Sequence, residues 1–254
     1  MGRKLREINR EKAEVYHVVT RANRKNSIFN KRKNIELYMN ILTAAKAKYE
    51  FILQGFSIMR THVHLTIKPN LKFGNIHEIM RYLNGEYSKE YNRINDLEGS
   101  HTWRERYSSV IVKDSEHYVN VFKYQLSNPL EAGHVNHPLD WEFHSGHALV
   151  AYQKQKDGEE VDTDAIPYYD LIDFGQIGDA VIKKIVEFLE TLSSSIAKGK
   201  KIIKERLGRF KMKIPKLGKY LRAKKLRDYL RYFHDEELVK RRKDRLNGPP
   251  DFLI

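Results

Sequence analysis

The chain contains no cysteine. That excludes a disulfide framework, every thiolate metal site and any thiol nucleophile, and leaves His, Asp, Glu, Asn and Tyr as the groups able to carry chemistry. Long apolar runs are also missing: none approaches the ~18 residues needed to cross a bilayer. The opening MGRKLREINREK has no apolar stretch of the kind a secretory signal needs. A soluble, cytoplasmic protein with no membrane partner is expected. No internal repeat is visible. Acidic residues are scarce in one place above all. From residue 198 to 231 only Glu205 and Asp228 stand against fifteen cations: Lys198, Lys200, Lys201, Lys204, Arg206, Arg209, Lys211, Lys213, Lys216, Lys219, Arg222, Lys224, Lys225, Arg227 and Arg231. This stretch carries +13 of the formal +14, so the charge belongs to one cationic arm and not to a generally basic surface. The natural partner of such an arm is a polyanion. Without a clear apolar anchor, nucleic acid is favoured over a membrane, and these fifteen side chains are candidate DNA contacts.

Hydrophobic residues make up 41% of the 254 positions and charged residues 31%, enough apolar surface for an ordinary core. Residues 13–23 (AEVYHVVTRAN) are β-rich and read as a first strand. Apolar positions Ile35, Leu37, Tyr38, Ile41, Leu42, Ala45 and Tyr49 give residues 31–50 a helical spacing. FILQGFSIM and HVHLTIKP, separated only by Arg60 and Thr61, read as adjacent antiparallel strands. A second helix fits residues 76–94. RYSSVIVK reads as a further strand, and residues 115–128 as a third helix capped by Asp114 or Ser115. The order β-α-β-β-α-β-α predicts an α+β fold: a ferredoxin-like (RRM-like) antiparallel sheet with helices packed on it. Beyond Trp141 the pattern weakens. The polar, acidic QKQKDGEEVDTD suggests a linker over 151–175 between a domain at 1–150 and a basic, mainly helical extension at 176–254. Pro215 and Gly218 break that extension into short helices.

Within RTHVHLTIKP, alternation along a strand makes His62 and His64 point the same way, while Val63 and Leu65 point to the other face. Such a pair can be no more than half-exposed surface. In FKYQLSNP, Tyr124 and Asn128 are four residues apart and share a helix face. Pro129 disfavours helical geometry at Asn128, which is expected at the last turn. Each pair alone has an ordinary structural reading; together with the cationic arm they form a nuclease-like set. Two imidazoles and an amide oxygen suit an open-sided divalent cation site that can polarise a phosphoryl oxygen. A phenol of ordinary pKa near 10 is ionised to about one part in a thousand at neutral pH, so its attack on phosphorus needs help from a cation or a base. The product would be a phosphotyrosine, a bond energetically similar to the one broken. The reaction class is therefore breaking and rejoining rather than hydrolysis.

These residues resemble those of the single-tyrosine transposases of the HUH (His-hydrophobe-His) endonuclease superfamily, and among them the tyrosine transposases associated with repetitive extragenic palindromes (REP). The matching blocks are VYHVVTRAN, HVH, GEYSKEYNRINDLEGSHTWRERYSSVIVKD and YQLSNPLEAGHVNHP, in the family's order, across a little over half of the chain. The resemblance implies that His62, His64 and Asn128 are metal ligands for magnesium or manganese. It implies that Tyr124 is the nucleophile that becomes linked to a DNA 5′-phosphate. It further implies a single-stranded DNA hairpin as partner, a nucleoid-associated location, and either a monomer or a homodimer. Two departures from the family pattern stand out: Thr61 where Asn is frequent before the first histidine, and Gln125-Leu126-Ser127 between the tyrosine and the asparagine.

Tyr118 is a rival nucleophile, but six positions place it about 120° around the helix from Tyr124. His17, His134, His137, His144 and His147 are read as structural or surface residues. In HTWRERY, Trp103, Arg104 and Arg106 offer a ring for base stacking beside two cations for a strand; equally, the Trp could plug the core edge. A second functional class remains: a domesticated hairpin-binding protein that no longer cuts.

Overall fold

The computed structural model describes residues 12–23, 27–97 and 99–192. The fifteen arm cations, and with them the expected short helices around Pro215 and Gly218, lie outside the described residues.

Four strands form one antiparallel sheet: β1 (Tyr16–Arg21), β2 (Ile52–Ile58), β3 (His62–Lys68) and β4 (Ser108–Ile111). Their order across the sheet is β2-β3-β1-β4, so the first and third strands in the chain are neighbours at its centre. Helices α1 (Arg32–Tyr49) and α2 (Ile76–Ile94) are the two crossovers, and α3 (Ser115–Glu131) follows β4. This is the ferredoxin-like α+β arrangement that the sequence pattern predicts.

Local chemistry explains the boundaries. Helix α2 starts at a reciprocal capping box, with Asn75 accepting from the backbone N–H of Glu78 and the Glu78 carboxylate accepting from that of Asn75. Its Ile76, Ile79, Met80, Leu83 and Tyr87 recur at helical spacing and are all buried. Asp114 caps α3 by accepting from the His117 N–H. The two faces of the sheet are then sorted by alternation. Tyr16, Val18, Val63, Leu65 and Ile67 face α2, whose Asn84 donates to Thr20 on the same side of β1, and α1 packs against α2. His62, His64 and Thr66 face α3, whose Gln125 accepts from the Thr66 hydroxyl at 3.0 Å. What lets α3 come this close is Gly55 of β2: a Cβ there would sit 2.7 Å from the Phe122 ring.

Three expectations need correction. Helix α3 runs to Glu131 and contains Pro129, so Asn128 lies within the helix and not at its end. Pro129 forfeits one backbone hydrogen bond, but Pro129 and Leu130 are both buried, and that packing carries the helix past the break. The segment 151–175 is not simply a linker. Its first residues complete a helix, α4 (Gly146–Lys156), and Ile172 and Phe174 are buried in the common core. Finally, residues 179–192 are helical and bury Ile182, Ile185 and Leu189 in that same core, so the beginning of the supposed extension belongs to the folded body. The polar stretch 157–164 does remain largely exposed.

The segments after α3 also seal the sheet. The backbone N–H of Ile58 donates to Phe143 and that of Ser145 to Phe56, both at 2.9 Å. Further along, the Leu53 N–H donates to the Asp173 carboxylate at 2.7 Å, and Asp173 is paired with Lys46 at 2.9 Å. The outer strand β2 is thus covered and cannot template pairing with another chain.

Candidate active site

Strand register gathers the site. Across the β1–β3 pair, His17 is opposite Thr66, Val19 opposite His64 and Arg21 opposite His62; across β2–β3, Ser57 is opposite His64. Directly opposed residues project from the same face, so His17, Arg21, His62 and His64 all lie on the side covered by α3.

Helix α3 brings its own pair over these imidazoles. The Asn128 side-chain amide lies 3.2 Å from His64 Nε2. The Tyr124 ring meets the His64 ring edge-on, with centroids 5.5 Å apart, and the His17 ring at 6.2 Å. His62 and His64 rings are 4.9 Å apart. His64 is fully buried and Asn128 nearly so, whereas Tyr124 is 41% exposed, so its phenol is accessible to a strand arriving from solvent. The four sequence-predicted residues therefore converge on one spot.

Burial keeps the two imidazoles uncharged. It pushes His62 down to about 4, with help from the nearby Arg21 cation and against a hydrogen bond that its ring donates to the Asn128 side chain. Burial, reinforced by His17, His62 and Arg21, holds His64 well below the ordinary imidazole value. Both rings are neutral at pH 7, which leaves lone pairs free for a metal. Their orientation is fixed from behind: His62 Nδ1 lies 3.0 Å from the Thr61 hydroxyl, and His64 Nδ1 lies 3.1 Å from His17 Nε2. Partners on Nδ1 turn Nε2 inward in each case, as in metal-ligating histidines. The atom facing His64 Nε2 at 3.2 Å is the Asn128 amide nitrogen, so ligation by Asn128 would use its amide oxygen. The residues fit a divalent cation. Among the described residues no group of three or more His, Asp or Glu is arranged to hold one, so any such site depends on the Asn128 amide.

Other candidates fall elsewhere. Tyr118 is buried and stacked on Phe122 with centroids 5.1 Å apart, and burial raises its hydroxyl above the ordinary phenol value; it is not available as a nucleophile. The Trp103 ring is packed beside Phe29, Tyr38 and Tyr87, and its indole N–H donates to the Asn84 carbonyl at 2.9 Å. This is the core-edge arrangement, and it leaves Arg104 and Arg106 exposed. His134 stacks on Trp141, His137 lies 3.2 Å from the Leu189 carbonyl, and His144 and His147 stack together. Sequence reasoning missed the places of His17 and Arg21. Alternation along β1 puts both on one face, but only the pairing of β1 with β3 reveals that it is the face of His62 and His64.

A model of the family described as "Transposase IS200 like" matches residues 12–125, which include β1 to β4, both histidines and Tyr124. Through these residues, a little under half of its length, the chain is similar to the IS200-like transposases. A solved structure described as a REP-associated tyrosine transposase bound to a REP hairpin shares the fold. It is 17% identical, with a TM-score of 0.50, over 59% of this chain and 86% of that one. A putative transposase from Deinococcus radiodurans R1 is 15% identical over 49% of this chain and 93% of that one, with a TM-score of 0.33. No curated protein matches. Among the described residues no helix is long and apolar enough to cross a membrane.

Proposed function

We propose that this protein is a transposase that cleaves and rejoins single-stranded DNA at a hairpin through a covalent bond to Tyr124. The observation that carries the proposal is the meeting of helix α3 with strand β3: an accessible phenol and an amide, one helical turn apart, over two neutral imidazoles.

In the reaction, the Tyr124 phenol oxygen bonds to phosphorus while the P–O3′ bond breaks. A 3′-hydroxyl leaves, taking up a proton, and the phosphate stays on the 5′ side as a phosphotyrosine. One phosphodiester replaces another, so a later 3′-hydroxyl can attack the adduct and reseal a strand without a nucleotide cofactor. Magnesium or manganese held by His62, His64 and Asn128 would supply the positive charge that polarises a phosphoryl oxygen. Thr61, which stands where relatives often carry Asn, keeps His62 turned toward that position through the contact at 3.0 Å. Arg21, exposed at the register position of His62, adds fixed positive charge for the strand's phosphates. The solved relative bound to a REP hairpin supports a folded, palindromic single strand as the substrate class.

The test incubates wild type and Tyr124→Phe with labelled hairpin oligonucleotides and magnesium or manganese, and looks for a denaturant-resistant protein–DNA adduct. An adduct in wild type alone is expected. An adduct in both proteins, or hairpin binding with no adduct in wild type across several hairpins, overturns the assignment; the latter outcome describes a binder that does not cut.

A further inference from the structure

We propose that His17 is a positioning residue for His64: its Nε2 accepts the proton on His64 Nδ1 and so keeps His64 Nε2 bare toward the cation. The inference rests on the reading of His64 as a metal ligand.

An imidazole can ligate through Nε2 only if its proton sits on Nδ1. His64 is fully buried, so that Nδ1–H needs a partner within the protein. The atom that faces it is His17 Nε2, at 3.1 Å. The other end of the ring agrees. The Asn128 amide nitrogen can only donate, so the His64 Nε2 it meets at 3.2 Å accepts and carries no proton. The contacts support one arrangement: Asn128 donates to His64 Nε2, and His64 Nδ1 donates to His17 Nε2. The opposite arrangement, with His17 donating to Nδ1, would point an N–H at the metal position and block it.

The backbone holds this relay in place. His17 lies in the middle of β1, a central strand paired on both sides, and stands opposite Thr66, one position along the same face from the Val19 that opposes His64. The His17 and His64 rings are nearly parallel, 10° apart with centroids at 5.3 Å. His17 also meets the Tyr124 ring edge-on. The same side chain therefore touches both the ligand and the nucleophile. His17 itself is partly buried.

The test measures manganese binding to the full chain without DNA, by calorimetry or electron paramagnetic resonance, in wild type, His64→Ala, His17→Phe and His17→Gln. Phe keeps the ring packing against Tyr124 and removes the acceptor; Gln places an amide oxygen near the lost Nε2. His17→Phe should weaken manganese binding about 10- to 100-fold, the usual effect of losing a partner behind a metal ligand, and His17→Gln should recover most of it. His17→Phe binding as tightly as wild type, with His64→Ala defective, overturns the proposal and leaves His64 a ligand. Wild type failing to bind manganese, or His64→Ala binding normally, overturns the ligand reading itself and the proposal with it. Nitrogen-15 NMR of the metal-free wild type gives a readout that needs no variant: the proton on Nδ1 of His64 is expected, and a proton on Nε2 overturns the proposal.

Discussion

Replacing Gly55 by alanine should damage the active site through a contact that is remote from any reacting atom. A Cβ at residue 55 would lie 2.7 Å from both Cε1 and Cζ of Phe122 and 3.1 Å from the Ser145 hydroxyl. Ordinary contact begins at about 3.4 Å, so the Phe122 ring must retreat by about 0.7 Å or more. It has nowhere to swing, because it is fully buried and stacked on Tyr118. The strain therefore passes to the α3 backbone. Phe122 is two residues from Tyr124 and six from Asn128 on a continuous helix, so a shift of the helix moves the phenol and the amide together relative to β3. Overpacking of this kind costs about 1–3 kcal/mol, which lowers the melting temperature by several degrees in a body of this size. A displacement approaching 1 Å between nucleophile and cation site should slow adduct formation by about 10- to 100-fold. Thermal unfolding and adduct kinetics with a hairpin oligonucleotide, at matched temperatures well below unfolding, measure the two effects separately. Adding Phe122→Leu should restore part of both, and the double-mutant cycle isolates the contact. Wild-type stability and rate in Gly55→Ala would refute the reasoning. Lost stability with an unchanged rate would mean that α3 does not set the position of Tyr124.

Two further outcomes follow from the charges. His144 is buried, accepts from the Gly146 N–H through Nδ1 at 2.9 Å and meets the Pro138 carbonyl through Nε2 at 2.7 Å, so only the neutral ring satisfies both contacts. Burial pushes its pKa down to about 4, from 6.5 in an unfolded chain. Because the unfolded state takes the proton first, the stability this residue contributes is complete above about pH 6.5, is lost as pH falls toward 4, and changes no further below that. The loss amounts to about 3 kcal/mol. Urea unfolding across this range should show a steeper decline for wild type than for His144→Gln, and identical slopes would contradict the prediction. Deleting residues 198–254 should weaken affinity for single-stranded DNA and leave manganese binding intact. If about six arm cations neutralise phosphates, the deletion should reduce the slope of log affinity against log salt by about 4; an unchanged slope would assign the arm another role.

The sequence alone determined whatever depends on near neighbours in the chain. Alternation placed His62 and His64 on one face of a strand, and the i, i+4 spacing placed Tyr124 and Asn128 on one face of a helix. The order of strands and helices was enough to predict the ferredoxin-like sheet. Helix α2 was legible from its apolar spacing, and the structure places an Asn75–Glu78 capping box at the start so predicted. Tertiary structure decided the rest, because strand neighbours are chosen by burial across the sheet and leave no mark in local periodicity. Pairing β1 with β3 turned His17 from one histidine among several into the residue behind His64, and set Arg21 opposite His62. The approach of Phe122 to Gly55 fixed where α3 lies over the imidazoles. Packing also overrode local signals after Asn128. Pro129 is carried inside a helix, and residues 172–174, beyond an acidic stretch that reads as a linker, return to cover β2, because burying Leu130, Ile172 and Phe174 outweighs those local preferences.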